Sequence, residues 1–434
     1  MVPTVRVTVR KESAVPGTVC GRTVSKIKFI KWNSAQDRAI NQITLKHFNT
    51  MSPTLAEKEP QTGHSIFESM MEHEHEQIIV CSDPSSGLKA IIAIHNTILG
   101  PSLGGVRMWP YESEQAALKD VLRLSRGMTY KAALAGLNLG GGKAVIIGNP
   151  KKDKKEAIFR AFGRYVEGLA GRYITAEDVG MSLQDMEWIR METKYVTGIS
   201  VALGGSGDPS PVTAMGVYMG MKATAKKVFG TDSLEKRKIS IQGAGNVSSH
   251  LARYLHKEGA KLYVTDIDEE KVDRLVRDTG AIAVDPDSIY DVDVDIFSPN
   301  ALGGVLNSET IPRLKCAVVA GGANNQLEDE SVHGPMLIEH GIVYAPDYVI
   351  NAGGVINVSN ELEGYNREYA HEQAARIYDT MTRILEYSEM HNVPTYTASN
   401  TIAEMRLKQI GRIKSIYASR SHFTGRMGEL VGRR

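Results

Sequence analysis

Cysteine is scarce in this chain. Cys20, Cys81 and Cys316 are odd in number and far apart, which argues against a disulfide framework and for reduced thiols in a cytosolic-type compartment. No run of roughly 20 apolar residues occurs, so no membrane-spanning helix is expected. A dominant charge is also missing. The formal net charge is +1, which gives no global attraction to nucleic acid or to a membrane surface. Metal-ligand spacing is lacking too. His73 and His75, within Glu72-His-Glu-His-Glu76, stand two apart and would not share a helix face. That run reads as a solvated polar segment.

What the chain does have is length and glycine. Its 434 residues, 42% hydrophobic and 23% charged, suit two globular domains. Gly136-Leu-Asn-Leu-Gly-Gly-Gly-Lys143 runs straight into the apolar stretch Ala144-Val-Ile-Ile147. Glycine lets backbone approach a ligand closely, so Lys143 would be pressed against whatever the glycines admit. Lys131 lies upstream in Gly127-Met-Thr-Tyr-Lys131. A lysine held beside another cation and out of water gives up its proton more easily, one route to a base near neutral pH.

Taken in order, residues 1–63 form a basic extension. Between Met1 and Thr50 nine Lys and Arg face only Glu12 and Asp37. The extension is expected to be disordered, with targeting or a functional arm as alternatives, and Met51 and Met70 as alternative starts. Order begins near Ser65. Strands over 77–81 and 88–94 form a hairpin across a turn-rich segment. Gly100-Pro-Ser-Leu-Gly-Gly-Val-Arg107 reads as a loop, a helix spans 113–130, and the triple glycine reads as a second loop before a strand over 144–147. Another helix covers 154–169. Tyr173-Ile-Thr-Ala-Glu-Asp-Val-Gly180 is a strand running into two acids, and Ser182 starts a helix with Asp185 in the capping-box position. The breaker cluster Gly204-Gly-Ser-Gly-Asp-Pro-Ser-Pro211 marks a hinge.

Beyond the hinge, Lys238-Ile-Ser-Ile-Gln-Gly-Ala-Gly-Asn-Val-Ser-Ser249 is strand, glycine turn and helix start, and Lys261–Thr265 is a second strand. Asp266 follows Gly243 by 23 residues. This is the βαβ dinucleotide pattern: Gly243 permits the turn, Gly245 lets a pyrophosphate meet the helix N-terminus, and Asp266 accepts from a ribose hydroxyl, favouring NAD over NADP. Ser248 replaces the third glycine of the pattern. Further strands at 294–297, 317–320 and 343–345 continue a parallel sheet.

Together these motifs resemble the amino-acid dehydrogenases that act on glutamate, leucine, phenylalanine and valine, the leucine-specific members most of all. The resemblance is carried by Gly100–Met108, Gly127–Lys131, Leu139–Lys143, Thr175–Gly180, Ser210–Thr213, Gly243–Val247 and Asn351–Asn357, in the family's order. It leaves residues 1–63 outside. It implies an α/β fold of two domains separated by a cleft: a substrate, catalytic and oligomerisation domain over 64–205 and a Rossmann-type NAD domain over 206–395. Helices of 396–434 would return to the first domain.

The resemblance also implies roles. Lys143 is the catalytic lysine, Asp178 exchanges protons with the substrate nitrogen, and Lys131 holds the α-carboxylate. Gly104 and Gly105, with Met128 beside them, lie against the bound amino acid. Gly243, Ala244, Gly245, Asn246, Val247, Ser248, Ser249 and Asp266 take the dinucleotide, with Thr213 and Asn325 beside the nicotinamide. No metal is implied. In the glutamate enzymes a lysine precedes the glycine pair, where Leu103 stands here, and a serine occupies the position of Val358. Leu103, Ala176, Val355 and Val358 would form an apolar pocket for a branched aliphatic side chain. The expected enzyme is therefore an NAD-dependent, cytoplasmic branched-chain amino-acid dehydrogenase, a homo-oligomer and by resemblance an octamer. Phenylalanine or valine enzymes of the family, or a silent NAD-binding regulatory protein, are the alternatives.

Overall fold

The computed structural model describes residues 65–413. The basic extension of 1–63 and the final residues of the chain lie outside the described residues. Two sheets organise what is described.

The first sheet has the order β1-β2-β4-β3-β5. It is built from β1 (Gln77–Asp83), β2 (Leu88–Asn96), β3 (Ser102–Trp109), β4 (Gly140–Ile147) and β5 (Tyr173–Glu177). β1 and β2 form the expected hairpin and β2 pairs antiparallel with β4, whereas β3 runs parallel to both β4 and β5. Four helices accompany it: α1 (Ile66–Glu72), α2 (Glu114–Leu134), α3 (Glu156–Gly168) and α4 (Leu183–Arg190). Alternation along the strands divides the faces. Ile91, Ala93 and Val145 pack with Ala117, Val121 and Leu122 of α2. Ile92, Ala144, Ile146 and Tyr173 pack with Phe159 and Phe162 of α3 and with Met186 of α4. At α4 the reciprocal capping box of Ser182 and Asp185 is formed.

Two sequence expectations are corrected here. Gly104-Gly105 and Gly140–Gly142 lie inside strands, not in loops. The glycines are there because the sheet is crowded. A Cβ at Gly141 would fall 2.1 Å from the Thr129 amide nitrogen, and one at Gly104 would fall 1.7 Å from the Gly142 carbonyl oxygen. The His73–His75 segment is not wholly solvated either. His75 is buried, its Nε2 3.1 Å from both the Leu122 carbonyl and Ser125 Oγ. Its ring meets that of buried His95 edge-on at 4.7 Å. His95 in turn bridges Thr129 Oγ1 (2.7 Å) and the His73 carbonyl (2.9 Å). Among the described residues no cluster suited to a metal ion occurs, and no helix is long and apolar enough to cross a membrane.

After the glycine-rich segment comes α5 (Ser210–Phe229), then β6 (Lys238–Gln242), α6 (Asn246–Lys257), β7 (Lys261–Thr265), α7 (Glu269–Thr279) and β8 (Ile282–Ala283). β9 (Ile296–Pro299), β10 (Val318–Val319), α8 (Glu330–Glu339) and β11 (Val343–Tyr344) follow. These strands make a second sheet, β11-β10-β9-β6-β7-β8, in which every pairing is parallel. Counted from β6, this is the 3-2-1-4-5-6 order of a doubly wound dinucleotide fold, with its switch point between β6 and β9. The short strand β8 was not anticipated.

The chain then runs through α9 (Asp347–Ile350), α10 (Gly353–Ser359), α11 (Arg367–Ala375), α12 (Ile377–His391) and α13 (Thr395–Ile413). α13 lies against α2: Tyr130 donates to Glu404, and Arg406 donates to the Ala133 and Gly136 carbonyls. The segment leading to α5 is clasped by Glu361, whose carboxylate accepts from the Gly198 and Ser206 amides at 3.1 and 2.8 Å.

Candidate active site

Three strands of the first sheet bring the candidate catalytic groups together. Lys143 is central in β4 and buried. Asp178 immediately follows β5. Because β4, β3 and β5 are adjacent and parallel, the two residues project near the same end, and Lys143 Nζ stands 3.1 Å from Asp178 Oδ2. Gly105 of β3 lies between: a Cβ there would fall 2.8 Å from that of Asp178. The Asp178 carboxyl is held below the usual carboxylate range. Burial pushes it up, but the charges of Lys143 and Arg107 outweigh burial.

Arg107 was not singled out from the sequence. Its Nε donates to Asp178 Oδ2 at 3.0 Å, and its Nη1 donates to Asp120 Oδ2 at 2.9 Å. Tyr111 donates to the same Asp120 oxygen at 2.7 Å. Reading Leu103–Arg107 as a strand would have placed Arg107 on the face of Leu103 and Gly105, through the two-residue period.

Lys131 enters from the last turn of α2. Its Nζ is 3.4 Å from Asn324 Oδ1, which also accepts from Asn351 Nδ2 at 2.8 Å. Its pKa is pushed down to about 8. Burial is the main cause, Asp347 opposes it, and the charge of Lys143 adds to it. Asp347, also missed, is buried at the start of α9 and accepts from the Tyr348 and Gln326 amides at 2.7 and 3.3 Å. Burial raises its pKa, against the charge of Lys131. Two lysines and two carboxylates thus face one another where the β3–β5 ends meet the glycine loop after β10.

The remaining candidates divide. A Cβ at Gly104 would meet Met128 Cγ at 3.3 Å, so Met128 lies over the glycine pair. Leu103 and Val355 belong to one buried apolar cluster, against which Met128 and Val358 pack. Ala176 is buried. Thr213 lies beside Gly353 and Gly354. Asn325 takes a left-handed conformation (φ 53°), and its carbonyl accepts from the Gly304 amide. Its neighbour Asn324 reaches Lys131.

At the switch point Gly243 has φ 97° and packs against Ala301 beyond β9. A Cβ on Gly245, the residue preceding α6, would meet nothing within 4 Å. The helix N-terminus therefore faces open space edged by Asn246, Val247 and Ser249. Ser248 is buried and its Oγ has no partner. Asp266 accepts from the Ala244 amide at 2.6 Å and the Asp268 amide at 3.0 Å. A helix N-terminus with an open glycine and a carboxylate at the next strand end fits a dinucleotide.

Family comparison agrees with this geometry. Residues 75–195 match the Glu/Leu/Phe/Val dehydrogenase dimerisation domain, and residues 204–270 and 264–413 match the Glutamate/Leucine/Phenylalanine/Valine dehydrogenase domain. The chain belongs to this dehydrogenase family. It is 59% identical over 357 residues to leucine dehydrogenase of Bacillus subtilis, covering 82% of this chain and 98% of the relative. It is 58% identical to leucine dehydrogenase of Bacillus cereus, covering 82% and 97%. Among solved structures, L-tryptophan dehydrogenase from Nostoc punctiforme superposes with a TM-score of 0.72 at 47% identity, covering 80% of this chain and 99% of that one. This dehydrogenase is thus a mixed α/β enzyme with a family dimerisation module followed by a Rossmann-type module, as its motifs implied.

Proposed function

We propose that this dehydrogenase is NAD-dependent and converts L-leucine and other branched-chain L-amino acids, reversibly, to the 2-oxo acid and ammonia. The observation that carries the reading is the meeting of Lys131, Lys143 and Asp178 beside the apolar cluster that contains Leu103 and Val355. Bound NAD would supply the acceptor for the hydride of the substrate α-carbon. Lys131 pairs with the α-carboxylate. Lys143, as general base, takes a proton from the water that adds to the resulting imine. Asp178 carries protons to and from the departing nitrogen. Asp266 accepts from the adenosine ribose and disfavours a 2′-phosphate. Leu103, Ala176, Val355 and Val358 receive the aliphatic side chain, where an ionised one would cost several kcal/mol without a partner. The enzyme works as a homo-oligomer, an octamer, in the cytoplasm.

The test is NADH absorbance on mixing the full chain with NAD and, in turn, leucine, isoleucine, valine, phenylalanine and glutamate. The three aliphatic substrates should fall within about two orders of magnitude in kcat/KM, since apolar pockets discriminate methylenes weakly. Glutamate should be at least about a hundredfold poorer. Phenylalanine as the best substrate would instead favour the aromatic branch of the family. No turnover with any of the five would leave a silent NAD-binding protein.

A further inference from the structure

Tyr173 opens β5 and is fully buried, its ring packed on the α3–α4 side of the first sheet. The ring reaches as far as β4, where a Cβ on Gly142 would fall 2.8 Å from Tyr173 Cδ2. Its hydroxyl donates to the Gly104 carbonyl at 2.6 Å and stands 3.3 Å from Thr175 Oγ1. A tyrosine side chain, not only strand backbone, thus holds a carbonyl in the middle of β3.

The β3–β4 ladder records the result. Ser102 and Leu103 pair with Gly140 and Gly141, and pairing resumes at Val106 with Ala144 in the same register. On this side Gly104 and Gly105 are skipped, although on the other they stay paired with Thr175 and Ala176 of β5. A tilted Gly104–Gly105 peptide accounts for a one-sided gap without a shift: its carbonyl keeps the β5 pairing while its N–H turns away from β4. Among the described residues no peptide bond is cis. In a trans peptide the carbonyl and the following N–H point in opposite directions. The Gly104 carbonyl tilts toward a hydroxyl on the α3–α4 side, so the Gly105 N–H tilts toward the α2 side. Lys143 projects there as well. Its alternating neighbours on β4 show this: Gly141 abuts Thr129 and Ser125 of α2, and Val145 packs with Ala117 and Val121. Lys131 comes from α2 itself.

We propose that Tyr173 is a positioning residue for the substrate. By holding the Gly104 carbonyl it aims the Gly105 N–H at the α-carboxylate that Lys131 pairs with. This inference rests on the dehydrogenase reading above. It also gives the glycines separate tasks: Gly142 makes room for the tyrosine ring, and Gly104 makes room for the Gly142 carbonyl.

The experiment is Tyr173→Phe in the full chain. The expected result is a KM for leucine raised about tenfold or more, in line with losing an aimed donor to a charged group. The KM for NAD should stay within twofold, and kcat should fall less than the leucine KM rises. Two competitive inhibitors separate positioning from general loosening. Binding of 4-methylpentanoate, which has the carboxylate and no amine, should weaken about tenfold. Binding of 3-methylbutylamine, which has the amine and no carboxylate, should hold within twofold. A merely structural tyrosine would weaken both alike, and that outcome overturns the proposal. Gly142→Ala, which displaces the ring but keeps the hydroxyl, should reproduce the same split and decides the matter if Tyr173→Phe does not fold. A parent chain that fails to oxidise leucine defeats the dehydrogenase reading. An active parent whose folded variants keep an unchanged leucine KM defeats the role of Tyr173 alone.

Discussion

The two sheets use glycine in opposite ways. In the first, Gly104, Gly140, Gly141 and Gly142 sit inside paired strands, where a side chain would strike backbone or ring atoms of the same module. In the second, Gly243 and Gly245 sit at a strand-to-helix turn, one for its positive φ and one with nothing in front of it. The first set lets protein approach protein so that Lys143 and Asp178 meet. The second leaves space for something that is not protein. One residue type therefore marks a crowded site in one half and an open site in the other.

Alanine should break this comparison most visibly. Gly141→Ala places a methyl group 2.1 Å from the Thr129 amide nitrogen, backbone that cannot swing aside. The cost should reach or exceed the roughly 3 kcal/mol upper end for overpacking, lowering Tm by more than about 6 °C or abolishing soluble expression. Gly245→Ala should leave Tm within about 2 °C and raise the KM for NAD at least tenfold. Equal loss of stability in the two variants, by calorimetry, would end the distinction.

The lysines sharpen the contrast within the crowded half. Lys143→Ala should lower kcat by about 10²- to 10⁴-fold, the usual range for losing a general base, while NAD affinity measured by fluorescence stays unchanged. Lys131→Met should lower kcat/KM for leucine about a hundredfold and yet stabilise the fold. The sign follows from its pKa, pushed down from 10.5 to about 8. The folded chain carries the cost of the half-buried charge fully below about pH 8 and sheds it as pH rises toward 10.5. The variant's Tm should therefore exceed the parent's at pH 7, with the difference shrinking by pH 10. A lower Tm at pH 7 would mean that Asp347 and Asn324 offset the burial completely.

The smallest effect concerns acid. His95 is pushed down to about 3, by burial first and then by the charge of His75, with the His73 carbonyl opposing and Arg126 and His73 adding to the depression. His75 is lowered as well, mainly by burial. Both are neutral in the fold and take protons once unfolded. The stability that neutral His95 confers is complete above about pH 6.5 and is lost as pH falls from there toward 3. By pH 5 His95 costs about 2 kcal/mol. His95→Gln should flatten part of the fall in Tm between pH 6.5 and 5, and an unchanged slope would place the acid sensitivity elsewhere.

The second sheet was the more legible in the sequence. Its signals are local: β6, the turn at Gly243 and Gly245, α6, and Asp266 at the end of β7 fall within 29 residues of chain. The first sheet hides its logic in contacts between distant segments. Nothing near Gly104 or Gly141 announces that Gly142, Thr129 and Ser125 press on them, so runs that look like loops are strands. Lys131, Lys143 and Asp178 were legible as motif residues. Arg107 was not, because a loop assignment removes the alternation that aligns it with Gly105. Asp347 and Tyr173 matter through partners 216 and 69 positions away (Lys131 and Gly104 respectively), and no window of sequence connects those pairs. The burial of His75 is likewise set by α2, across 47 residues.

Asp266 gives the open half a constraint of its own. The same carboxylate that would read the ribose already braces the glycine turn through the Ala244 amide and the following bend through the Asp268 amide. Selectivity and scaffold would then share one side chain. A lineage drifting toward a phosphorylated dinucleotide could not simply trade the acid for a small neutral residue. It would first need another acceptor for the Ala244 amide, or the turn would slacken before the new ligand was welcome. Cofactor preference in this dehydrogenase should therefore change hands slowly in evolution and resist single substitutions at the bench.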